Sequence, residues 1–112
     1  MPEVKALRYS AGKPQLAYAL CFGPALRGVA KVAECGAAKY GRYNFRIGAP
    51  ASESVDCALR HLLAYWEGVD TDPESNFHHL DHAIWNLMRL RSELETAPPG
   101  FSDDRPSGRL HT

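Results

Sequence analysis

From Pro24 onward, apolar residues return at spacings of three and four. Leu26, Val29, Val32 and Ala33 fall on one side of a helix, with Pro24 suited to its first turn and Gly41 to its end. This pattern predicts a helix over about 25–39. A second stripe, Val55, Leu59, Leu62, Leu63 and Trp66, follows the capping residues Ser52 and Ser54 and stops at Gly68, which predicts a helix over about 53–67. A third runs from Ser75 or Phe77 to about Thr96, where Pro98, Pro99 and Gly100 end it; Leu80, Ile84, Leu87, Leu90, Arg91 and Leu94 share its mostly apolar face. The connection GVDTDPESN is short, so the second and third helices must lie antiparallel. Leu59, Leu62, Leu63, Leu80, Ile84 and Leu87 are then expected to be largely buried between them or against the first helix.

Residues 1–23 mix charges with Gly12, Pro14 and Gly23 and hold neither period, so they read as loop with at most a short strand or turn. RYNFRIGAP reads as a connection, and 97–112 as a solvated, flexible tail. The expected fold is all-α: a small bundle of about three main helices with a loop-rich N-terminus, forming one domain over 1–96 ahead of the tail.

Composition narrows the function classes. Thirteen basic residues balance thirteen acidic ones, so no global field draws the chain to a nucleic-acid polymer or an acidic membrane. The run Leu16–Leu26 is broken by Gly23 and Pro24, short of the roughly 20 residues that span a bilayer. The charged start MPEVKALRYS lacks a signal core, giving a cytoplasmic expectation, and Cys21, Cys35 and Cys57 are odd in number and scattered, as reduced thiols are. Three helices expose much apolar surface, two tryptophans included, so self-association as a homo-oligomer, a dimer in the simplest case, is expected.

The polar residues are also periodic. Asp56, Arg60 and Glu67 lie on one stripe of the second helix, and His79, His82 and Asn86 on one stripe of the third. Facing each other, these stripes would offer carboxylates for a divalent cation that bridges phosphate oxygens and an arginine to neutralise them. Spacing alone favours the plainer alternative, an interhelical salt bridge with histidines at a wet helix edge. Cys57 and His61 with His78 and His82 are spaced for a structural zinc, and Asp70, Asp72 and Glu74 hint at a calcium loop, although Pro73 intrudes. In GAAKYGRYNFRIG, Lys39, Arg42 and Arg46 alternate with Tyr40, Tyr43 and Phe45 around Asn44; this suits a nucleotide as well as it suits a helix end folded on the core.

The segments GKPQ (12–15), ECGAAKYGRYNFRIG (34–48), RHLLAYWEG (60–68), DTDPES (70–75) and HLDHAIWNL (79–87), taken in order, resemble the small phage-associated proteins of the dATP/dGTP diphosphohydrolase N-terminal domain family. That family is discussed beside the MazG-like all-α nucleoside triphosphate pyrophosphohydrolases, which use Mg2+ to cut between the α and β phosphates and work as oligomers. The matching positions are Glu34, Lys39, Tyr40, Gly41 and Asn44, with Phe45 where tryptophan is more usual, then Arg60, His61, Trp66, Glu67 and Gly68, and finally His79, His82 and Asn86. In MazG-like enzymes paired acidic motifs hold the metal, whereas here Glu34 stands alone in its motif. The resemblance implies a Mg2+- or Mn2+-dependent enzyme that converts a purine deoxynucleotide, dATP or dGTP, to dNMP and pyrophosphate. In this reading Glu34, Asp56 and Glu67 hold the metal, and Glu67, His79 and His82 serve catalysis. Lys39 and Arg60 clamp phosphates, while Tyr40, Asn44, Phe45 and Asn86 complete the nucleotide site. A non-catalytic nucleotide-binding protein and a structural helical module are the alternatives.

Overall fold

The structure, a computed structural model, describes residues 4–106. Four helices follow one another, α1 (Ala17–Leu20), α2 (Gly23–Tyr40), α3 (Ala51–Trp66) and α4 (His79–Thr96), with a 3-10 turn at Asn44–Ile47. The described residues form isolated β-bridges and no strand, so the all-α expectation holds. The three main helices lie within two to four residues of the predicted bounds, and α1 is a single turn inside the segment expected to be loop. Pro24 occupies the first turn of α2, and Gly41 ends that helix at a φ of 99°.

Two boundaries differ from expectation for reasons that lie far away in the chain. Helix α3 starts at Ala51, and its cap is neither Ser52 nor Ser54. The Ala51 N–H donates to the Ser102 carbonyl (2.9 Å) and the Ser52 N–H to Asp104 Oδ1 (2.9 Å), while the Ser52 hydroxyl also bonds Asp104. A carboxylate brought to a helix N-terminus satisfies orphan donors and complements the dipole. These bonds hold the Asp104 carboxyl below its ordinary range, the Ser52 hydroxyl contributing most. Part of the expected tail therefore docks on the body, while 107–112 lie outside the described residues. Gly48 (φ 87°) makes the docking possible, because a Cβ there would meet Pro98 at 2.7 Å and Glu93 at 3.0 Å.

The second difference is the start of α4, at His79 rather than 75 or 77. His79 N–H donates to Asp70 O (2.8 Å) and Asp72 N–H to Phe77 O (2.9 Å), which closes the connection into a tight loop. The His78 ring then caps the helix by accepting from Leu80 N–H at 3.0 Å.

Helices α3 and α4 are antiparallel, as expected: His61 meets His79 and His82 at one end of the pair, and Ser54 meets Arg89 farther along it. What lies between them overturns the expected core. The small residues Ala51, Ser54 and Ala58 of α3 are buried, and against them α4 buries His79, Ala83, Asn86 and Glu93. Small side chains let the backbones approach, so the leucines are pushed to the flank. Leu59, Leu62, Leu63 and Leu87 remain between 46% and 58% exposed, and Leu80 and Ile84 are half-buried. On the other flank α2 covers α4; Gly28 admits the Asp81 carboxylate, which a Cβ would strike. The radius of gyration, 18.0 Å, exceeds the roughly 13 Å of a compact domain of about this length, and residues 4–22 carry Leu7, Tyr9, Leu16 and Tyr18 exposed. Among the described residues no helix is long and apolar enough to cross a membrane.

Candidate functional site

The α3–α4 pair and the loop between them bring four polar residues to one place. His61 projects from α3, His79 and His82 from the first turns of α4, and Asp72 from the connecting loop. Nδ1 of His61 and Nδ1 of His79 share a hydrogen bond of 2.9 Å, and the His61 ring stacks on His82 with centroids 4.3 Å apart. Asp72 is fixed by the N–H of Glu74, which donates to its Oδ1 (3.0 Å), leaving Oδ2 3.6 Å from Nε2 of His82; the Ser75 hydroxyl bonds the same nitrogen at 2.7 Å. Ligand atoms of His61, Asp72 and His82 all lie within 4.8 Å of one another, the one such group of three among the described residues. His79, buried behind His61, orients that ring, as a second partner commonly does for a ligating histidine.

Burial holds both His61 and His82 below the ordinary imidazole value of 6.5; neighbouring imidazoles push the same way, and Asp72 opposes them. Burial pushes the Asp72 carboxyl up, yet the Glu74 N–H and the three imidazoles together bring it below 3.8. At neutral pH His61 and His82 are thus uncharged imidazoles beside the Asp72 carboxylate, the protonation states metal binding requires. Two imidazoles and one carboxylate fit a borderline divalent ion better than Mg2+, which prefers oxygen donors.

A pH dependence follows. Below about 6.5 the unfolded chain binds more protons than the folded one at His61 and His82, so their contribution is present above that value and is lost as pH falls through the lowered folded values. Without added metal, the thermal midpoint is expected to drop between about pH 7 and pH 5. A His61→Gln, His82→Gln double variant should flatten that profile, and an equally steep one would contradict the assignment.

The other expected site residues are distributed as follows. Asp56 and Glu67 share a face of α3 but are eleven residues apart, about 16 Å along its axis, too far to hold one ion. Glu67 sits exposed at the C-terminal cap, and Glu34 is exposed on α2, so the structure does not gather the expected metal set Glu34, Asp56 and Glu67. The zinc alternative separates too: Cys57 accepts from Arg60 (3.1 Å) and His78 caps α4, leaving only His61 and His82 of that set together. The calcium alternative contributes Asp72 alone. Arg60 and Lys39 are exposed and lie within electrostatic reach of His61 and His82 respectively. Tyr40, Asn44 and Phe45 line one hollow with Trp85 and Arg89. Asn86 is buried and spends its amide on the His82 carbonyl (2.9 Å), which removes it from the surface a nucleotide would touch. Asp72 entered the sequence reading only through the calcium loop and His61 only through the zinc set, so the trio that the structure gathers was not foreseen as one group.

The family described as dATP/dGTP diphosphohydrolase, N-terminal, matches residues 3–104. The chain belongs to this family. No curated protein and no solved structure matches it. The matched span takes in every residue of the His61–Asp72–His82 cluster and the docked segment that caps α3.

Proposed function

We propose that the chain hydrolyses dATP and dGTP to the deoxynucleoside monophosphate and pyrophosphate, with a divalent cation held by His61, Asp72 and His82. The observation that carries this reading is the convergence of the His61, Asp72 and His82 side chains on one point, with exposed Arg60 and Lys39 within electrostatic reach of the two imidazoles. A bound cation would neutralise phosphate oxygens and lower the pKa of water. Arg60 and Lys39 would neutralise the remaining phosphate charge, and His79 would keep the His61 ring turned to the ion. Because Mg2+ gives up its waters reluctantly and the donors include two imidazoles, Mn2+ is expected to support more turnover than Mg2+. Purified protein incubated with each dNTP and either metal, with products resolved chromatographically, tests this. dAMP or dGMP with pyrophosphate supports it, nucleotide binding without product replaces it with a sequestering role, and the absence of both product and binding removes the reading altogether.

The exposed flank of α3 and α4, an apolar groove lined by Val55, Leu59, Leu62, Leu80, Ile84 and Leu87, supports self-association. Light scattering should report a dimer or larger that Leu59→Glu with Leu62→Glu converts to monomer. A wild-type monomer at micromolar concentration would remove this part.

A further inference from the structure

A cavity lies apart from the histidines. It opens farther along α4, has a volume of about 430 Å³, and is lined by Phe45, Arg46, Trp85, Met88, Ser92 and Pro98 together with Arg89, Glu93 and Thr96. This is within the range of small-molecule sites, about 300–1,000 Å³, and its walls are mainly apolar and aromatic. The Phe45 and Trp85 rings meet edge to face with centroids 5.3 Å apart. Those two residues also line the smaller hollow that holds Tyr40 and Asn44, so the two spaces share a wall.

We infer that this cavity is the site of a purine base, selected by stacking on Trp85, with the perpendicular Phe45 ring against its edge, rather than by hydrogen bonding. The inference rests on the proposed phosphate chemistry at the histidines and deepens it. Trp85 is three residues from His82, about 4.5 Å along α4, so one nucleotide can set its phosphates at the cluster and its base beyond Trp85. The sugar then falls beside Tyr40 and Asn44. Stacking favours the larger two-ring base and tolerates any edge. The charged groups on its wall are engaged with other side chains: Arg89 Nε and Glu93 Oε2 are buried and face each other at 3.3 Å, and the Arg46 guanidinium lies over the Tyr43 ring. What is left to touch an edge is the Ser92 and Thr96 hydroxyls, which can donate or accept and so suit either purine. Adenine and guanine are therefore accepted alike.

The test uses Trp85 as its own reporter. Trp66, the other tryptophan, is 83% exposed at the end of α3, and Trp66→Phe leaves Trp85 alone. In that protein deoxyadenosine and deoxyguanosine, which lack phosphate, should quench Trp85 with saturation at affinities within roughly three-fold of each other, whereas deoxycytidine and thymidine should bind at least about ten-fold more weakly. Phe45→Ala should weaken both purines about ten-fold, and Ser92→Phe, which fills the cavity from its rim, should abolish quenching; circular dichroism of each variant verifies the helices. Equal response to pyrimidines, or no response to purines, overturns the inference. If purines quench Trp85 but no dNTP is hydrolysed, the cavity stands and the catalytic reading fails. If dATP is hydrolysed with Trp85 silent and KM unchanged in Phe45→Ala, the cavity inference fails and the catalytic reading stands.

Discussion

His82→Ala is expected to lower Mn2+-dependent hydrolysis of dATP by at least about a hundred-fold, and Asp72→Asn and His61→Ala should do the same. Loss of a partner that merely orients a ligating histidine typically costs ten- to a hundred-fold in metal affinity or activity, so His79→Ala belongs in that lower range and removal of a ligand beyond it. The set is separable from a structural role by calorimetric titration with Mn2+. His82→Ala should lose metal binding while retaining its helical circular dichroism, because the ring is only half-buried and its contacts are confined to the cluster and to Ser75 and Phe77 of the connecting loop. Glu67→Gln, Asp56→Asn and Glu34→Gln in the same titration decide between the two carboxylate sets. Exposed and not gathered around one point, they should leave Mn2+ affinity within roughly two-fold of wild type, as surface residues away from a site do. A metal titration abolished by Glu67→Gln and untouched by His82→Ala would overturn the site.

Glu93→Ala should be the most destabilising single change outside the cluster, by about 3–5 kcal/mol, the cost of breaking a buried pair from one side. Glu93 is 4% exposed; its Oε1 accepts from the Ala49 N–H (2.9 Å), its Oε2 lies 3.3 Å from Arg89 Nε, and Arg89 in turn donates to the fully buried Ser54 hydroxyl (2.9 Å). Truncation takes the counter-charge from the Arg89 guanidinium and leaves the Ala49 N–H without its acceptor, between α3, α4 and the segment after the 3-10 turn. At roughly 4–8 °C per kcal/mol for a domain of this size, the thermal midpoint should fall by more than about 12 °C. Glu93→Gln keeps an acceptor for Ala49 and should cost less. Replacing Glu93 and Arg89 together by methionine removes both charges and should recover much of the loss, since buried pairs contribute little net stability against apolar substitutes. A loss in Glu93→Ala below about 1 kcal/mol, within the range of an ordinary substitution, would show that the pair is not buried in solution.

Much of this architecture is legible in the order of residues. Apolar periodicity marks α2, α3 and α4, and Pro24, Gly41, Gly68 and Pro98 mark where they start or stop, because helix formation and termination depend on near neighbours. The family can be read as well, since it resides in short segments whose spacing survives without coordinates. Helical period, however, gives angle around an axis and not position along a partner. Asp56, Arg60 and Glu67 share a face yet cannot share an ion, while His61 and His82, 21 residues apart, stack ring on ring because the loop from Asp70 to His78 sets the register of the hairpin. The same loop, through the Glu74 N–H and Ser75, aims Asp72 at His82, a placement that no period encodes. Burial was decided in tertiary structure too. Ala51, Ser54 and Ala58 let α3 come close to α4, so the polar stripe of His79, Asn86 and Glu93 went inside and the leucines outside. The cap of α3 comes from Asp104, more than fifty residues away. Local sequence determined which segments are helices and which family they compose; contacts between distant segments, where packing distance and hydrogen-bond satisfaction compete, determined which side chains meet to form a site.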